Sequence, residues 1–336
     1  MQFEKWYDKN YKKLLVLPVI ILTLSLIYMG FFYFQTGDII YKDVSLTGGT
    51  TITIQTEIPS EDLKNIISQS LTDFEIKTIS NNAGNQLELM VTVKESETET
   101  LEIILEDFLG YNLTSKNSSK ETTSSSLSAD FYKQLIIAVL LAFFWMAAVV
   151  FLIFSKDRKT KFWIILINIL FGYFLGKFFL TINPIISVII FLAFSIIIIR
   201  IYIKNSVPSF AIMLSAFSNI LMMLAIVDLI GMKISTAGIV AFLMIIGYSV
   251  DTDILLTTRL LKKKENTNTA LFGAFKTGIT MTITSIIAIT TALIVVLPFA
   301  SVLNQIFTIL LIGLFLDLFN TWITNASIIK WYVETR

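Results

Sequence analysis

The chain has 336 residues, of which 55% are hydrophobic and 15% charged, and its formal net charge is +1. A soluble domain carries about a quarter charged residues, so this composition indicates a polytopic α-helical membrane protein embedded in the lipid bilayer. The absence of His and Cys excludes disulfides, metal or haem sites built on imidazole or thiolate, and catalytic pairs that need either residue. No GxxxxGK[ST] motif for ATP is present, and we expect no enzyme activity, cofactor, metal or nucleic-acid partner.

The N-terminal third predicts a membrane anchor followed by a water-soluble domain. Residues 1–13 are polar and are interpreted as a cytoplasmic tail, and residues 14–34 are long and apolar enough to cross the bilayer. No small-residue cleavage site follows them, so we expect an uncleaved span. Residues 35–113 carry strand and helix patterns in the order β-α-β-β-α, which predicts a small extracytoplasmic ferredoxin-like α+β domain. A flexible Ser/Thr-rich linker is expected at 114–130.

The remainder of the chain, 131–331, predicts a membrane bundle of seven more helices, which gives about eight spans in all. The apolar segments cover 131–154, 162–180, 185–203, 210–230, 234–258, 273–297 and 303–331. Lys and Arg are concentrated at the chain ends and in every second loop. By the positive-inside rule, both termini, including a short tail at 332–336, are cytoplasmic, and residues 35–130 lie outside. We expect a multi-pass protein of the cell membrane.

Two carboxylates, Asp251 and Asp253, lie toward the end of the apolar segment 234–258. A carboxylate costs roughly 2.5–3.5 kcal/mol at the centre of a membrane helix on insertion scales, so its presence indicates a functional site. The alternative is that both side chains extend to the membrane interface. At 1.5 Å per residue, Asp251 lies about 25 Å along this span, in its cytoplasmic half.

Lys276 lies near the start of the next span, at a similar depth on an antiparallel helix. We therefore expect it to form an ion pair with one of the two acids, since pairing makes buried charges tolerable. Residues two apart on a helix point about 200° apart, so the second acid is expected to point elsewhere, toward a partner subunit. Thr280 and Thr284 continue from Lys276 at four-residue spacing, as either a hydrated path or a helix contact surface.

Asp317, Asp228 and Lys177 are further ionisable residues within the predicted spans. Asp317 is near the middle of the last span, close to Asn320, and its own helix has no basic residue at that depth. We expect Asp317 to be neutral or to interact with the hydroxyl-bearing stripe on the neighbouring helix. Asp228 and Lys177 lie toward the outer ends of their spans and are expected to reach the headgroups.

Five segments of the sequence together resemble one known family. They are Gly247–Arg259 with its GYSV start, Leu46–Thr50, Val207–Ser218, Lys276–Thr282 and Asp317–Trp322. In content and order they resemble SecF, especially archaeal-type SecF, of the SecD/SecF family in the resistance–nodulation–division superfamily.

The resemblance implies an accessory subunit of the Sec export machinery. Such a subunit works with a SecD-like subunit beside a SecY/SecE-type channel, and uses the proton-motive force to promote translocation or release of polypeptides. The resemblance makes Asp251, Asp253 and Lys276 candidates for proton coupling; bacterial members carry Arg at the Lys276 position and an acid between the two Asp positions. Supporting polar residues in the membrane are Ser249, Arg259, Thr280, Thr284, Asp317 and Asn320, and the outer-domain motif is Gly48, Gly49 and Thr50.

The sequence departs from the family pattern in two places. The family ordinarily has six spans, so residues 156–203 are expected to be an inserted helical hairpin, whose two crossings keep the orientation of everything downstream. Asn219 stands where relatives often have Asp, which removes one titratable group.

Two other function classes fit the same residues. One is a non-transporting scaffold whose buried charges fix helix register, in which case Asp–Lys charge reversal would restore function. The other is a small-molecule exporter of the same superfamily, for which an outer domain of this size is too small. The outer domain is expected either to dock without chemistry or to bind the partner subunit or unfolded polypeptide through its sheet edges.

Overall fold

This computed structural model describes residues 2–56, 58–71, 74–80, 86–179, 181–262, 266–297 and 301–335. Its helices are Gln2–Leu14 (α1), Val16–Thr36 (α2), Val44–Thr47 (α3), Ser60–Ser70 (α4), Thr98–Leu109 (α5), Ser125–Phe154 (α6), Arg158–Tyr173 (α7), Pro184–Asn205 (α8), Val207–Leu229 (α9), Thr236–Leu261 (α10), Thr267–Val296 (α11), Ser301–Phe319 (α12) and Ala326–Glu334 (α13). Its strands are Gly49–Gln55 (β1), Phe74–Ser80 (β2), Gln86–Val93 (β3) and Ser118–Thr123 (β4). Two short π-helical segments, Phe174–Phe178 and Asn320–Asn325, extend α7 and join α12 to α13.

Within the described ranges, 8 helices are long and apolar enough to cross a membrane. This confirms the polytopic helical architecture expected from the apolar segments. The spans α9 and α10 are the most buried, whereas few residues of α11 are fully buried. The interior of the bundle therefore lies between α9, α10 and α12, and it is there that buried polar groups collect.

The outer domain is a four-stranded antiparallel sheet in the order β2-β3-β1-β4, with α4 and α5 packed on it. The element order βαββαβ and this strand order are those of the ferredoxin-like fold, as predicted. Alternate residues of β1 face the helices, so that Ile52 and Ile54 are buried against Leu63 and Leu101.

The prediction of a flexible linker at 114–130 is wrong, because this segment contains β4 and the start of α6. β4 pairs with β1 along its whole length, and Thr122 hydrogen-bonds Thr50 side chain to side chain at 3.0 Å. Its sequence, SSKETT, has no apolar residue, since it is an edge strand held by backbone hydrogen bonds and by the Lys120–Glu102 ion pair at 2.6 Å. A pattern based on hydrophobic alternation does not detect such a strand.

The polar segment 1–13, expected to be a tail, is also structured: it forms α1. Tyr7 and Tyr11 lie one turn apart and are buried against the C-terminal helix and α11. The Tyr7 hydroxyl lies 3.1 Å from the Ser327 hydroxyl, and the Tyr11 hydroxyl donates to Glu334 at 2.5 Å. The charged residues between the tyrosines conceal this amphipathic face in a simple hydropathy scan.

The segment 156–203 forms two spans, α7 with its π-helical extension and α8, called the hairpin below. Aromatic side chains join the two helices of the hairpin and hold the hairpin to α6. The ring centroids of Phe171 and Phe144 are 4.5 Å apart, those of Phe171 and Phe194 5.1 Å, and those of Tyr202 and Phe151 4.7 Å. The hairpin is thus packed laterally on the bundle and leaves the α10–α11 side uncovered.

Candidate functional site

Asp253 lies on α10 and is fully buried, with its carboxyl directed at α9 and the π-helical segment after α12. The Asn325 amide donates to Oδ1 of Asp253 at 2.9 Å. Oδ2 has no hydrogen-bond partner among the described residues, although the Ser215 hydroxyl of α9 faces the same carboxyl. A buried carboxyl with only one strong donor is incompletely solvated by the protein.

Asp317, on α12, is also fully buried and lies close enough to Asp253 for the two carboxyls to interact electrostatically. The Thr321 hydroxyl donates to Oδ1 of Asp317 at 3.4 Å and faces Asp253 as well. Oδ2 of Asp317 has no partner in the described part of the chain, and Ser249 of α10 faces it. Asp253 and Asp317 are called the acid pair below.

The surroundings of the acid pair are polar but uncharged. They consist of buried amides and hydroxyls, namely Ser215, Asn219, Ser249, Thr257, Asn320, Thr321, Thr324 and Asn325. No salt bridge joins either acid to a Lys or Arg in the ranges that the structure describes. Two buried carboxyls without a cation cannot both be ionised cheaply, so the arrangement favours holding a proton.

The π-helical segment Asn320–Asn325 brings the donors to the acid pair. Asp317, Thr321 and Asn325 follow one another at four-residue spacing, so all three project toward α10. The wider turn rotates the side chains after Phe319 relative to an α-helix, and π-helical turns are frequent at functional sites.

The expected ion pair between Lys276 and an Asp is wrong. Lys276, Thr280 and Thr284 all lie on the exposed surface of α11, and no described salt bridge involves Lys276. Both threonine hydroxyls donate to carbonyls of their own helix, at 2.8 Å and 2.7 Å. Lys276 lies on the wrong face of α11 for such a pair: Gly278, two residues on, is the position that packs inward, against Trp322.

Asp251 and Asp253 lie on different faces of α10, as the helix geometry predicts. Asp253 is buried, whereas Asp251 is exposed. Asp251 thus shares with Lys276 the property of facing away from the bundle interior. Arg259, in the last turn of α10, donates to the Gly273 carbonyl at 2.8 Å and to the Thr277 hydroxyl at 3.0 Å. It joins α10 to α11 and takes no part in the acid pair.

Comparison with known proteins identifies the family. The family model described as "Protein export membrane protein SecD/SecF, C-terminal" matches residues 172–335, which include the acid pair. The protein-export membrane protein SecF of Methanocaldococcus jannaschii is 33% identical over 331 residues, which cover 97% of this chain and 96% of that protein. The chain belongs to the SecF family. The SecF of Methanolacinia petrolearia is similar too, with 31% identity over 98% of this chain and 97% of the relative.

Solved SecDF structures share the fold of this SecF-family chain. SecDF from Thermus thermophilus, described as a translocon-associated membrane protein, aligns with a TM-score of 0.57 at 14% identity. A structure of SecDF in the super-membrane-facing form aligns with a TM-score of 0.51 at 14% identity. Each alignment covers 98% of this chain, but the chain spans only 38% and 39% of those two SecDF chains.

The outer-domain motif of this SecF-family chain connects the sheet to the membrane bundle. Gly48 has φ +81°, and a Cβ there would overlap the Ser125 backbone, 2.6 Å from its nitrogen, at the start of α6. Gly49 begins β1. Thr50 is buried and accepts a hydrogen bond from the Thr98 hydroxyl at 2.7 Å. The motif therefore fixes the point where the sheet meets the membrane bundle.

Asp228, expected to reach the headgroups, is buried within the protein, with its side chain only 2% exposed. It lies at the outer end of α9 beneath the segment that leads into the outer domain, close to Tyr41 and Tyr132. Neither carboxylate oxygen of Asp228 has a hydrogen-bond partner with good geometry among the described residues. Lys177, by contrast, is exposed, as expected.

Several residues of the site were not singled out from the sequence. Asn325 and Ser215 are the clearest cases, since both face Asp253. The four-residue spacing of Asp317, Thr321 and Asn325 is visible in the sequence and indicates one polar helix face. Ser215 offered no such signal, because a single Ser in an apolar span is common in membrane helices.

Proposed function

We propose that this chain is the SecF-type accessory subunit of Sec-dependent protein export and that it couples proton movement to translocation or release of polypeptides. Family membership supports the export role. The observation that carries the coupling is the acid pair: two fully buried carboxyls, close together, sharing Thr321 and lacking a described cation.

The proton-linked step follows from the electrostatics of this pair. Like charges repel strongly in a dry interior, so Asp253 and Asp317 exchange protons one after the other. Each elementary charge that crosses 100 mV of membrane potential is worth about 2.3 kcal/mol, enough to bias a conformational equilibrium. Loss of a proton leaves a negative charge on one carboxyl, and the Ser215 and Ser249 hydroxyls must reorient to stabilise it. The packing of α9, α10 and the π-helical segment changes as a result.

A route from the acid pair to the outer domain runs along α10. The loop before α10 pairs with the segment that leads into the outer domain: the Ile234 amide donates to Tyr41 at 2.6 Å, and the Asp43 amide donates to Ile234 at 2.9 Å. A shift of α10 along its axis therefore acts on the base of the outer domain. This rigid link supports transmission of a membrane event to the side on which polypeptide emerges.

The remaining coupling candidates are assigned to an interface. Asp251 and Lys276 are exposed on α10 and α11, the side that the hairpin leaves uncovered. We assign this face to a SecD-like subunit, whose own charged groups would complete the pairs missing within the chain. The SecY/SecE-type channel and the translocating polypeptide are proposed as further partners, with the outer domain on the extracytoplasmic side of the cell membrane and both termini inside.

The scaffold and exporter alternatives are less well supported. A scaffold held in register by a pair between Lys276 and Asp251 or Asp253 requires an ion pair that the described residues do not contain. A small-molecule exporter requires a large porter region, whereas the outer domain here is one four-stranded sheet with two helices.

The test is export with and without an imposed proton gradient in vesicles that contain the full complex. We expect Asp253→Asn and Asp317→Asn each to reduce gradient-stimulated export to the level seen without a gradient, because a neutral amide cannot release a proton. Asp107→Asn, on the exposed surface of α5, serves as the control and should leave stimulation intact. Unchanged stimulation in both acid-pair variants, at normal abundance in the membrane, would refute the coupling mechanism.

A further inference from the structure

An apolar groove opens between α6, α8 and α9, where the hairpin meets the bundle. Its volume is about 300 Å³, and its walls include Phe143, Phe144, Leu192, Ile199, Met213 and Phe217. Ser195 also lines it, but its hydroxyl donates to the Phe191 carbonyl of its own helix at 2.9 Å. Tyr202 lines it too, and its buried hydroxyl is the one polar group of this lining without a hydrogen-bond partner among the described residues. The rest of the lining is apolar and is suited to a hydrocarbon chain.

The groove lies in the cytoplasmic half of the proposed topology. Its lining on α8 runs from Phe191 to Tyr202, three residues before that helix ends, and on α9 it begins at Phe210, three residues after that helix starts. Eleven helical residues span about 17 Å, close to the roughly 15 Å thickness of one hydrocarbon leaflet. Leu192, Ile199 and Phe217 are all exposed at its edge, so the groove opens laterally toward the lipid.

Basic residues are concentrated at the helix ends on the cytoplasmic side of the groove. They are Lys156 in the α6–α7 loop, Arg158, Lys159 and Lys161 in the first turn of α7, and Arg200 and Lys204 on the last turns of α8; these six are called the basic cluster. The contact between Phe151 and Tyr202 brings the end of α6 beside the end of α8, so both parts of the cluster flank the same opening.

Asp157 is the one acid within this stretch of the loop, and it is engaged as the cap of α7. It accepts hydrogen bonds from the Lys159 amide at 3.2 Å, from the Thr160 amide at 3.1 Å and from the Thr160 hydroxyl. The hydroxyl bond and the two amide bonds lower the pKa of Asp157 below its usual value. Its charge is thus directed at the helix start, and the opening of the groove keeps a net positive charge.

We propose that the groove binds a hydrocarbon chain of an anionic membrane lipid, whose phosphate is held by the basic cluster. Charge complementarity at the opening and the match in length to one leaflet select this occupant over a zwitterionic lipid or a protein segment. The lipid fills the space between the hairpin and the bundle. This gives the hairpin a role, lipid-dependent attachment, that is independent of the proton-coupled step.

The experiment compares retained lipids on the purified full-length chain by native mass spectrometry. The probes are phosphatidylglycerol and phosphatidylcholine with identical acyl chains, supplied in equal amounts. We expect phosphatidylglycerol to be retained preferentially. The exposed double substitution Lys156→Gln/Arg158→Gln should weaken its retention about fivefold per cation removed, with phosphatidylcholine unaffected. Lys64→Gln/Lys116→Gln, in the outer domain, is the matched control and should have no effect.

A second variant tests the groove itself. Ser195→Phe fills the space next to Phe144 and should reduce retention of both lipids while leaving the basic cluster in place. Equal retention of the two lipids by the unmodified chain would overturn the proposal. So would undiminished phosphatidylglycerol retention in the Lys156/Arg158 variant, which removes only exposed charges and does not depend on whether Ser195→Phe folds. A bound second protein chain that Ser195→Phe displaces would assign the groove to a protein partner and equally overturn it.

Discussion

Trp322 fills the space beside Gly278, at the point where α11 crosses the π-helical segment of the acid pair. A Cβ on Gly278 would lie 2.5 Å from Cζ2 of Trp322, and the Trp322 ring also packs edge-on against Phe275 at 5.0 Å. Neighbouring Thr321 is the residue that touches both acids. Because Gly278 has no side chain, the Trp322 ring can pack against α11 there, and this packing helps to position the neighbouring Thr321 hydroxyl at the acid pair.

We predict that Gly278→Ala destabilises the protein by about 1–3 kcal/mol, because the methyl group displaces the buried Trp322 ring. Gly30→Ala is the matched control, since Gly30 is also within a membrane helix but has open space around its Cβ direction. There the substitution should be neutral or stabilising by up to about 1 kcal/mol. Thermal unfolding in detergent measures both, and equal midpoints for the two variants would contradict the packing argument.

At the scale of elements, the N-terminal helix is attached by one buried cation. The Lys330 ammonium, 0% exposed, donates to Asp8 of α1 and to Asn268 of α11 at 2.5 Å, and lies 3.5 Å from Glu334. Its ammonium also lies 5.1 Å from the centre of the Tyr11 ring. Three helices that are distant in sequence, α1, α11 and α13, meet at this residue.

Lys330→Met should release α1 from the bundle while leaving the spans folded. Asp8 is half-exposed and can be rehydrated when its partner is removed, so the global loss is smaller than for a fully buried pair. Hydrogen exchange should accelerate in α1 by on the order of tenfold and remain unchanged in α10. Lys9→Met, on the exposed side of α1, is the control. Uniform exchange across both helices in the Lys330 variant would indicate that this contact does not hold α1.

How far the sequence predicts these elements depends on the strength of their hydrophobic pattern. The long apolar spans and the alternating strands β1 and β3 carry strong periodic signals, so the sequence alone indicates that these elements exist. β4 and α1 are stabilised by backbone pairing and by a few long-range contacts, which leave little trace in local composition.

The sequence likewise predicts some features of the candidate site and not others. Depth along a helix follows from counting residues, so the sequence predicts a similar level in the membrane for Asp251, Asp253 and Lys276. The face that each residue presents depends on how α10 and α11 are rotated against α9 and α12, and that is tertiary information. The predicted ion pair between Lys276 and one of the two acids is therefore wrong. Asp317 and Asn325 lie beside Asp253, and Lys276 does not.

At the scale of the whole molecule, two joints connect the outer domain to the bundle. One is the bridge between Lys42 and Ile234, and the other is the close approach of Gly48 to the start of α6. Because the chain enters the outer domain from α2 and leaves it through α6, both ends of the domain are constrained. The domain and the bundle are thus expected to transmit movement to each other.

Gly48→Ala tests the second joint. Gly48 and Gly110 both have positive φ, at +81° and +73°, so alanine strains the backbone at either position. At Gly48 the methyl group also overlaps the Ser125 backbone, whereas at Gly110 it meets open space. We expect Gly48→Ala to increase proteolysis between the outer domain and α6 well beyond the effect of Gly110→Ala. Equal proteolysis of the two variants would indicate that backbone strain alone, and not the joint, determines the outcome.

The orientation of the molecule can be tested with single cysteines, because the natural chain contains none. Ser70→Cys on α4, Thr181→Cys between α7 and α8, and Asn205→Cys at the end of α8 are all exposed positions. The charge distribution predicts that a membrane-impermeant maleimide labels positions 70 and 181 in intact cells, and labels position 205 only after permeabilisation. Position 181 is the sharpest probe, since it lies outside only if both helices of the hairpin cross the membrane. If position 181 were accessible only from the cytoplasm, the hairpin would not span the bilayer, and the expected number of eight spans would be wrong.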